Sequence, residues 1–243
     1  MRQIAIYNTF DSEELLEGSI NCLRDHVDFV LVVAQTVSNF GEHYSGGYEL
    51  AKKLKIVDDV ILYEPNLLPD WNSGSANETA KRNLGIEYAK QHGFTHFLNI
   101  DNDEYYEDFG KAKQQYIDSG AKGSVVKMFT YFKHPALRFE HPDNYYVPFI
   151  FELNSNTFVG DNDIGFVCDP TRKPNEKDVI VIGEKMHHFS WIRNDIIRKV
   201  NNSSARGNIT SALEDYNNSN CKEGYFVSHF GQKLIKVPNR FNI

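Results

Sequence analysis

Three carboxylates stand within four residues in the segment Asp101-Asn102-Asp103-Glu104, directly after a short apolar run. The run Phe97 to Ile100 is typical of a buried strand, and ligands of open α/β sheets bind beyond the carboxyl ends of the strands. Carboxylates this close repel one another, so a cation or a hydrogen-bond network is needed to neutralise them. The Asp-x-Asp spacing therefore predicts a site where Mg²⁺ or Mn²⁺ holds a phosphorylated ligand. A solvated acidic turn is the alternative.

A histidine pair, His187-His188, follows much later in the chain, after a predicted strand. Adjacent strand residues point to opposite faces, so only one of the two can join Asp103 on a metal. We assign that role to His188, because Phe189 and Trp191 then alternate as its cover. Carboxylate and imidazole ligands together suit Mn²⁺ as well as Mg²⁺. A hydrogen-bonded structural histidine is the alternative for either residue.

Basic residues are predicted near the same sheet edge. Lys81 and Arg82 lie on a predicted helix that leads directly into the acidic strand, so Arg82 is placed to pair with Asp101 or with a diphosphate. Arg193 and Lys199, in a basic run after the histidine pair, are candidates to neutralise a departing diphosphate. Solvated surface charge is the alternative for both groups.

Composition narrows the class of protein. The chain has 243 residues, 41% hydrophobic content and a net charge of −7, which describes a globular protein without a general affinity for nucleic acid. No apolar segment is long enough for a signal peptide or a membrane span. Cys22, Cys168 and Cys221 show neither paired nor metal-type spacing, which favours reduced thiols. A cytoplasmic location is therefore predicted.

The elements that must position these residues are predicted to alternate over residues 1–105. Apolar runs indicate strands at 4–7, 27–34, 60–63 and 97–100, and helical spacing indicates helices at 12–24, 48–54 and 75–91. This alternation predicts a parallel sheet with right-handed crossovers. The rhythm then changes: a helix at 108–119 and one at 194–201 are predicted, with strands at 124–132, 150–153, 179–183, 225–229 and 234–237. The polar stretch 202–222 is expected to be weakly ordered.

Five segments together resemble a known family. They are Tyr7-Asn8-Thr9 on the first strand, the strand 30–33, the helix 80–86, the strand with its acidic end at 97–104, and the late motif 187–193. They resemble glycosyltransferases of the GT-A fold, in the family-2-like superfamily that uses nucleotide-diphosphate sugars. The likeness spans 1–105, and 180–200 more loosely, and the Asp-x-Asp-Glu form followed by an aromatic residue resembles a subgroup of these enzymes.

The resemblance implies an α/β fold, with a mostly parallel central sheet flanked by helices and a smaller irregular half. One domain, 1–243, is expected, with a nucleotide-sugar-binding half at 1–105 and an acceptor and metal-completing half at 106–243. Asp101, Asp103 and His188 are expected to hold the donor through Mn²⁺ or Mg²⁺. The residues expected to surround the nucleotide are Asn8, Thr9, Gln35, Arg82 and Arg193.

The sequence departs from the family in two places. The loop after the second strand has Gln35 and Ser38 where an acidic residue is usual. The Glu-Asp pair that carries the catalytic base is also absent, and Asp161 and Asp163 are its nearest substitutes. Displacement with inversion needs such a base near the acceptor hydroxyl, whereas a retaining enzyme does not need it there. The stereochemical outcome is left open.

The predicted function is transfer of a sugar from a nucleotide-diphosphate sugar, with a UDP-sugar expected, to a hydroxyl acceptor. A glycan, a protein, a lipid or a hydroxylated DNA base is compatible as acceptor. A nucleotidyltransferase acting on sugar phosphates is one alternative, but the first strand is not followed by a Gly-rich phosphate loop. A non-catalytic carbohydrate-binding relative is another.

Segment 189–206 is expected to close over the donor and to be loosely held without it.

Overall fold

The computed structural model describes residues 1–67, 73–203, 206–218 and 220–243. Strands and helices alternate through the first part: β1 (Gln3–Thr9), α1 (Glu13–Asn21), β2 (Phe29–Ala34), α2 (Gly46–Ala51), β3 (Asp59–Leu62), α3 (Ser73–Gln91) and β4 (His96–Asp101). A single turn of 3₁₀ helix, Arg24–His26, precedes β2.

The second part is richer in strands. Its elements are β5 (Glu104–Tyr106), α4 (Phe109–Ser119), β6 (Gly123–Phe132), β7 (Leu137–Phe139), β8 (Tyr146–Glu152), β9 (Val159–Gly160), β10 (Lys173–Pro174), β11 (Val179–Trp191), α5 (Ile196–Asn202), α6 (Arg206–Asn217), β12 (Phe226–Val227) and β13 (Gln232–Lys236).

The first four strands form a parallel sheet in the order β4-β1-β2-β3, as the sequence predicts. Apolar side chains alternate between its two faces: Ala5 and Tyr7 belong to one buried cluster, and Ile4 and Ile6 to the other. A strand covered on both faces reads as a continuous apolar run. Since β1 lies beside β4, Asn8 is level with Asp101 at the carboxyl edge.

The sheet continues with β8 antiparallel to β4, β6 antiparallel to β8, and β11 parallel to β6. The short strand β5 pairs with β11 in antiparallel register, with His188 opposite Glu104. This pairing brings the late histidine motif to the acidic segment. The predicted α/β class with a parallel core flanked by helices is therefore confirmed.

Strand β11 extends to Trp191, whereas the sequence predicts that it ends at Gly183. The polar residues Glu184 and Lys185 break the apolar pattern there, and the structure accommodates them at a shift of register between Val181 and Lys185. The histidine pair consequently lies within a strand and not after one.

The expectation of a weakly ordered stretch at 202–222 is wrong for the residues that form α6. Ala212 is fully buried, and it shares an apolar cluster with Trp191 of β11 and Val200 of α5. Leu213 and Tyr216 pack against the same cluster, so this helix has an apolar face although the stretch 202–222 is polar overall. Residues 204–205 and 219, which fall in the predicted mobile stretches, lie outside the described residues.

Helix α3 lies unusually close to the sheet. A Cβ atom on Gly85 would stand 2.4 Å from Cγ2 of Ile6, so only glycine permits this approach. The close packing brings the basic residues one turn earlier on α3 to the edge where β1 and β4 end. No helix of the described ranges is both long and apolar enough to cross a bilayer.

Candidate active site

A cleft of about 230 Å³ opens at the carboxyl edge of the parallel strands. Its walls come from the ends of β1, β2 and β4, from α3, from the end of β11 and from α5. It brings together most of the residues that the sequence singles out: Asn8, Gln35, Lys81, Arg82, Asp101, Asp103, His188, Arg193 and Lys199. Thr9 is instead fully buried behind the cleft, where its hydroxyl donates to Oδ1 of Asn102 at 2.6 Å.

Asp101 is paired with arginine, as predicted. Nη2 of Arg82 lies 3.1 Å from Oδ2 of Asp101, and Nη1 of Arg172 lies 3.6 Å from the same oxygen. Burial by itself raises the pKa of Asp101, but the two guanidinium groups outweigh it and the pKa is lowered. The first aspartate of the motif is thus ionised in the folded protein.

Asp103 has a cationic partner from the other half of the chain. Its Oδ2 is in close contact with Nη2 of Arg193 and lies 3.6 Å from Nε2 of His188. Burial raises the pKa of Asp103, but the charges of Arg193 and His188 outweigh that effect and hold the pKa below its ordinary value. The backbone N–H of Phe189 donates to the carbonyl of Asp103 at 2.7 Å, which ties β11 to the acidic segment.

Glu104, the fourth residue of the segment, has a structural role. It is almost fully buried and accepts from Nη2 of Arg172 at 2.9 Å and from the backbone N–H of Asp101 at 3.1 Å. Arg172 is only 5% exposed and also donates to the carbonyl of Asn99 at 2.9 Å. Sequence reasoning missed Arg172, because no local pattern links it to a segment so distant in the chain.

The two histidines face opposite sides of β11, as strand alternation predicts. His188 lines the cleft beside Asp103. His187 points away, with its Nδ1 2.9 Å from the hydroxyl of Tyr131 and its ring centroid 5.1 Å from that of Phe241. Burial lowers the pKa of His187 to about 4, so this residue is a neutral packing group.

Two cleft arginines have donors without protein partners in the described part of the chain. Nε and Nη1 of both Arg82 and Arg193 are buried without a hydrogen bond, although Nη2 of each holds an aspartate. Buried polar groups are nearly always paired in native proteins. Guanidinium groups bind phosphate oxygens in a bidentate manner, so these donors suit a phosphorylated ligand in the cleft. Lys81 and Lys199 are further basic residues that line the cleft.

The end of the cleft near β2 is a polar network. Nζ of Lys81 donates to Oε1 of Gln35 at 2.6 Å, and Nε2 of Gln35 donates to Oδ1 of Asn39 at 2.9 Å. Burial lowers the pKa of Lys81 to about 8. Glu78, one turn earlier on α3, also lines the cleft, and burial raises its pKa. Glu78 adds a carboxylate at the end of the cleft where the loop after β2 contributes only Gln35, Ser38 and Asn39. On this helix the sequence points to Lys81 and Arg82 but not to Glu78.

The cleft is bridged by α5. Nε of Arg198 lies 3.1 Å from Oε1 of Glu42, and its guanidinium group lies 3.8 Å above the ring of Tyr44. Nδ2 of Asn202 donates to Oε2 of Glu42 at 2.6 Å. The segment expected to close over the ligand is therefore docked against the loop after β2, and its opening remains a prediction.

Asp161 and Asp163, the expected bases, are not among the residues that line the cleft. The side chain of Asp161 is 76% exposed and pairs with Lys173, and Oδ1 of Asp163 accepts from the backbone of Gly165 at 3.0 Å. Their Asn/Asp/Gly-rich segment forms surface turns. The carboxylate of this loop that does line the cleft is Asp169.

The residues predicted to hold a metal fit one in type and location. Carboxylates and an imidazole are ligands of Mn²⁺, and Asp101, Asp103 and His188 border one cleft. Among the described residues, however, no three such side chains are arranged to hold an ion. Both carboxylates instead contact guanidinium groups, so a cation would have to displace Arg82 and Arg193 from them.

Comparison with solved structures finds partial matches, whereas no family model and no curated protein matches the chain. S. aureus TarS 1-349 is 15% identical over 90% of this chain, with a TM-score of 0.48. Its complex with UDP is 22% identical over 54% of this chain (TM-score 0.38), and mannose-1-phosphate geranyltransferase from Thermus thermophilus is 15% identical over 64% (TM-score 0.33). The chain spans 66%, 36% and 51% of these three chains, respectively.

Proposed function

We propose that this protein is a glycosyltransferase that binds a nucleotide-diphosphate sugar, with UDP as the first nucleotide to test. The observation that carries the proposal is the pair of buried arginines with unpartnered donors, Arg82 and Arg193, on either side of the Asp-x-Asp segment. A diphosphate supplies acceptor oxygens for such donors. Its site at the carboxyl edge of parallel strands agrees with the general location of ligands in open α/β sheets.

The proposed roles follow from the position of each residue. Arg193 and Lys199 stabilise the diphosphate as its negative charge grows on departure, which is the main electrostatic task in such a transfer. Gln35, at the β2 end of the cleft, and Asn8, at the end of β1, contact the base and ribose. A hydroxyl on a glycan, protein, lipid or modified DNA base is the proposed acceptor.

A divalent cation is part of the proposal. Asp101, Asp103 and His188 are the residues that would hold Mn²⁺ or Mg²⁺, and Arg82 and Arg193 would then turn from the carboxylates to the diphosphate. A bound cation supplies positive charge that neutralises the diphosphate. The exchange of partners explains how the same carboxylates serve arginines in the free protein and a metal in the complex.

Thermal unfolding with a panel of UDP-, GDP-, CDP- and dTDP-sugars, each with and without Mn²⁺, tests the proposal. A ligand at a hundred times its Kd stabilises the protein by about 2.7 kcal/mol. We expect the sugars of one nucleotide to raise the Tm in the presence of Mn²⁺. We also expect the protein to hydrolyse these nucleotide sugars slowly and to release the nucleoside diphosphate. Release of pyrophosphate from a nucleoside triphosphate and a sugar phosphate would indicate a nucleotidyltransferase.

Arg193→Ala is expected to abolish the Tm shift. Lys222→Ala removes an equal charge from an exposed position and is the matched control, for which the full shift is expected. If no nucleotide sugar shifts the Tm of the wild-type protein, or if Arg193→Ala and Lys222→Ala behave alike, the proposal is wrong.

A further inference from the structure

A second, smaller cavity of about 80 Å³ adjoins the cleft. Both spaces are bordered by Asp101, Asp169 and His188. The second cavity is otherwise lined by Tyr145 and the start of β8, by Met128 of β6, and by the ion pair of Glu104 and Arg172. These three shared residues therefore stand where a molecule in the second cavity meets a molecule in the cleft.

Asp169 is held at this junction by its own loop. Its Oδ1 accepts from the backbone N–H of Thr171 at 2.7 Å and from the hydroxyl of Thr171 at 2.8 Å. Arg172, which follows Thr171 in the chain, is anchored by its buried ion pair with Glu104. On the other side, Cys168 forms a β-bridge with Tyr146 of β8. The loop is thus fixed on both sides of Asp169. Of the two carboxylate oxygens of Asp169, Thr171 donates only to Oδ1.

Asp169 differs from the other carboxylates of the second cavity. Asp101 has Arg82 and Arg172 within 4 Å, and Glu104 has Arg172. No ion pair within that distance joins Asp169 to a basic side chain in the described ranges. A carboxylate committed to a guanidinium group is a weaker proton acceptor, because protonation would break the pair. Asp169 is therefore the carboxylate at the junction that is best placed to accept a proton.

We propose that the second cavity receives the acceptor as an alcohol or sugar hydroxyl, and that Asp169 is the catalytic base. This inference rests on the proposed function. The hydroxyl proton moves to Oδ2 of Asp169 while the hydroxyl oxygen forms a bond to the anomeric carbon of the donor. The bond from that carbon to the diphosphate oxygen breaks, and its electron pair leaves with the nucleoside diphosphate beside Arg193. Configuration at the anomeric carbon is inverted.

The test uses the nucleotide sugar that the thermal screen selects, with water as the acceptor and Mn²⁺ present. General bases contribute about 10²–10⁴-fold in rate, so we expect Asp169→Asn to lower kcat at least a hundredfold. The Kd of the donor should change less than about threefold, because binding rests on other residues. Asp163→Asn, an exposed carboxylate of the same loop, is the matched control and should keep kcat within about twofold.

Azide separates a base from a merely structural residue, because azide is an anion and attacks without losing a proton. Asp169→Ala with sodium azide is expected to form a glycosyl azide of inverted configuration at a rate well above its hydrolysis rate. A product of retained configuration, an unchanged kcat in Asp169→Asn, or an Asp163→Asn variant as slow as Asp169→Asn would overturn the assignment. Those results leave the proposed function intact, whereas a wild-type protein that turns over no nucleotide sugar defeats both.

Discussion

The buried pair of Arg172 and Glu104 ties two distant segments together, and its loss should be costly. The two side chains are 6% and 2% exposed, and Arg172 also holds the carbonyl of Asn99. Arg172→Gln leaves the Glu104 carboxylate buried without its partner, which typically costs about 3–5 kcal/mol. For a chain of this length, each kcal/mol shifts the Tm by about 2–4 °C, so we expect a fall of at least about 6 °C.

Urea unfolding of four proteins measures this directly: the wild type, Arg172→Gln, Glu104→Gln and the double variant. Two facing amides carry no buried charge, so the double variant should lose less free energy of unfolding than Arg172→Gln alone. The loop that bears Asp169 should be displaced in Arg172→Gln, which lowers kcat even where the protein remains folded. A loss below about 1 kcal/mol in Arg172→Gln, or strictly additive single variants, would refute the assigned role of the pair.

Four further variants test the cleft and the strand beside it. Asp103→Asn should abolish the Mn²⁺-dependent part of donor binding, measured by calorimetry with and without EDTA. His188→Ala should weaken donor binding in Mn²⁺ about tenfold to a hundredfold, whereas His187→Ala should lower the Tm and leave the Kd unchanged; the reverse ranking would contradict the assignment. Lys81→Met should raise the free energy of unfolding by up to about 3 kcal/mol at pH 7, because burial lowers the pKa of Lys81 from 10.5 to about 8 in the folded protein. Below pH 8 the charged ammonium group of Lys81 destabilises the folded protein. The gain in free energy of unfolding from Lys81→Met should therefore shrink as the pH rises from 8 to 10.5. A gain that grows over that range would contradict this prediction.

The parallel half of the fold is predictable from local sequence. Strands buried on both faces give unbroken apolar runs. The helix before β4 is less regular, since Ala76 and Ala80 are exposed and its buried face carries Asn77, Lys81 and Arg82 as well as Ile86 and Ala89. The acidic segment therefore falls at the correct edge, beside Arg82. The second half is harder to predict, because its strands pair in both directions: β6 is antiparallel to β8 but parallel to the distant strand β11. Pairing between segments so far apart in the chain leaves no local signal.

The candidate site likewise combines residues that the sequence predicts with residues that it does not. The convergence of Asp101, Asp103 and His188 on one cleft is predictable from spacing and alternation. Of the partners that neutralise the two aspartates, Arg82 is predicted from the sequence. Arg172 and the pairing of Arg193 with Asp103 are not, because both arginines come from remote loops. The sequence offers Asp161 and Asp163 as the nearest substitutes for the absent Glu-Asp pair. Only the three-dimensional position of Asp169, beside Tyr146, distinguishes it.

The central claim is that the cleft binds the diphosphate of a nucleotide sugar between Arg82 and Arg193. A crystal structure of the protein soaked with UDP and Mn²⁺ is the most direct test. We predict the diphosphate within hydrogen-bond distance of Arg193, with an anomalous peak for manganese beside Asp101 and Asp103. UDP bound elsewhere on the protein, or a cleft that stays free of nucleotide at saturating UDP while both arginines keep their aspartate partners, would contradict the claim.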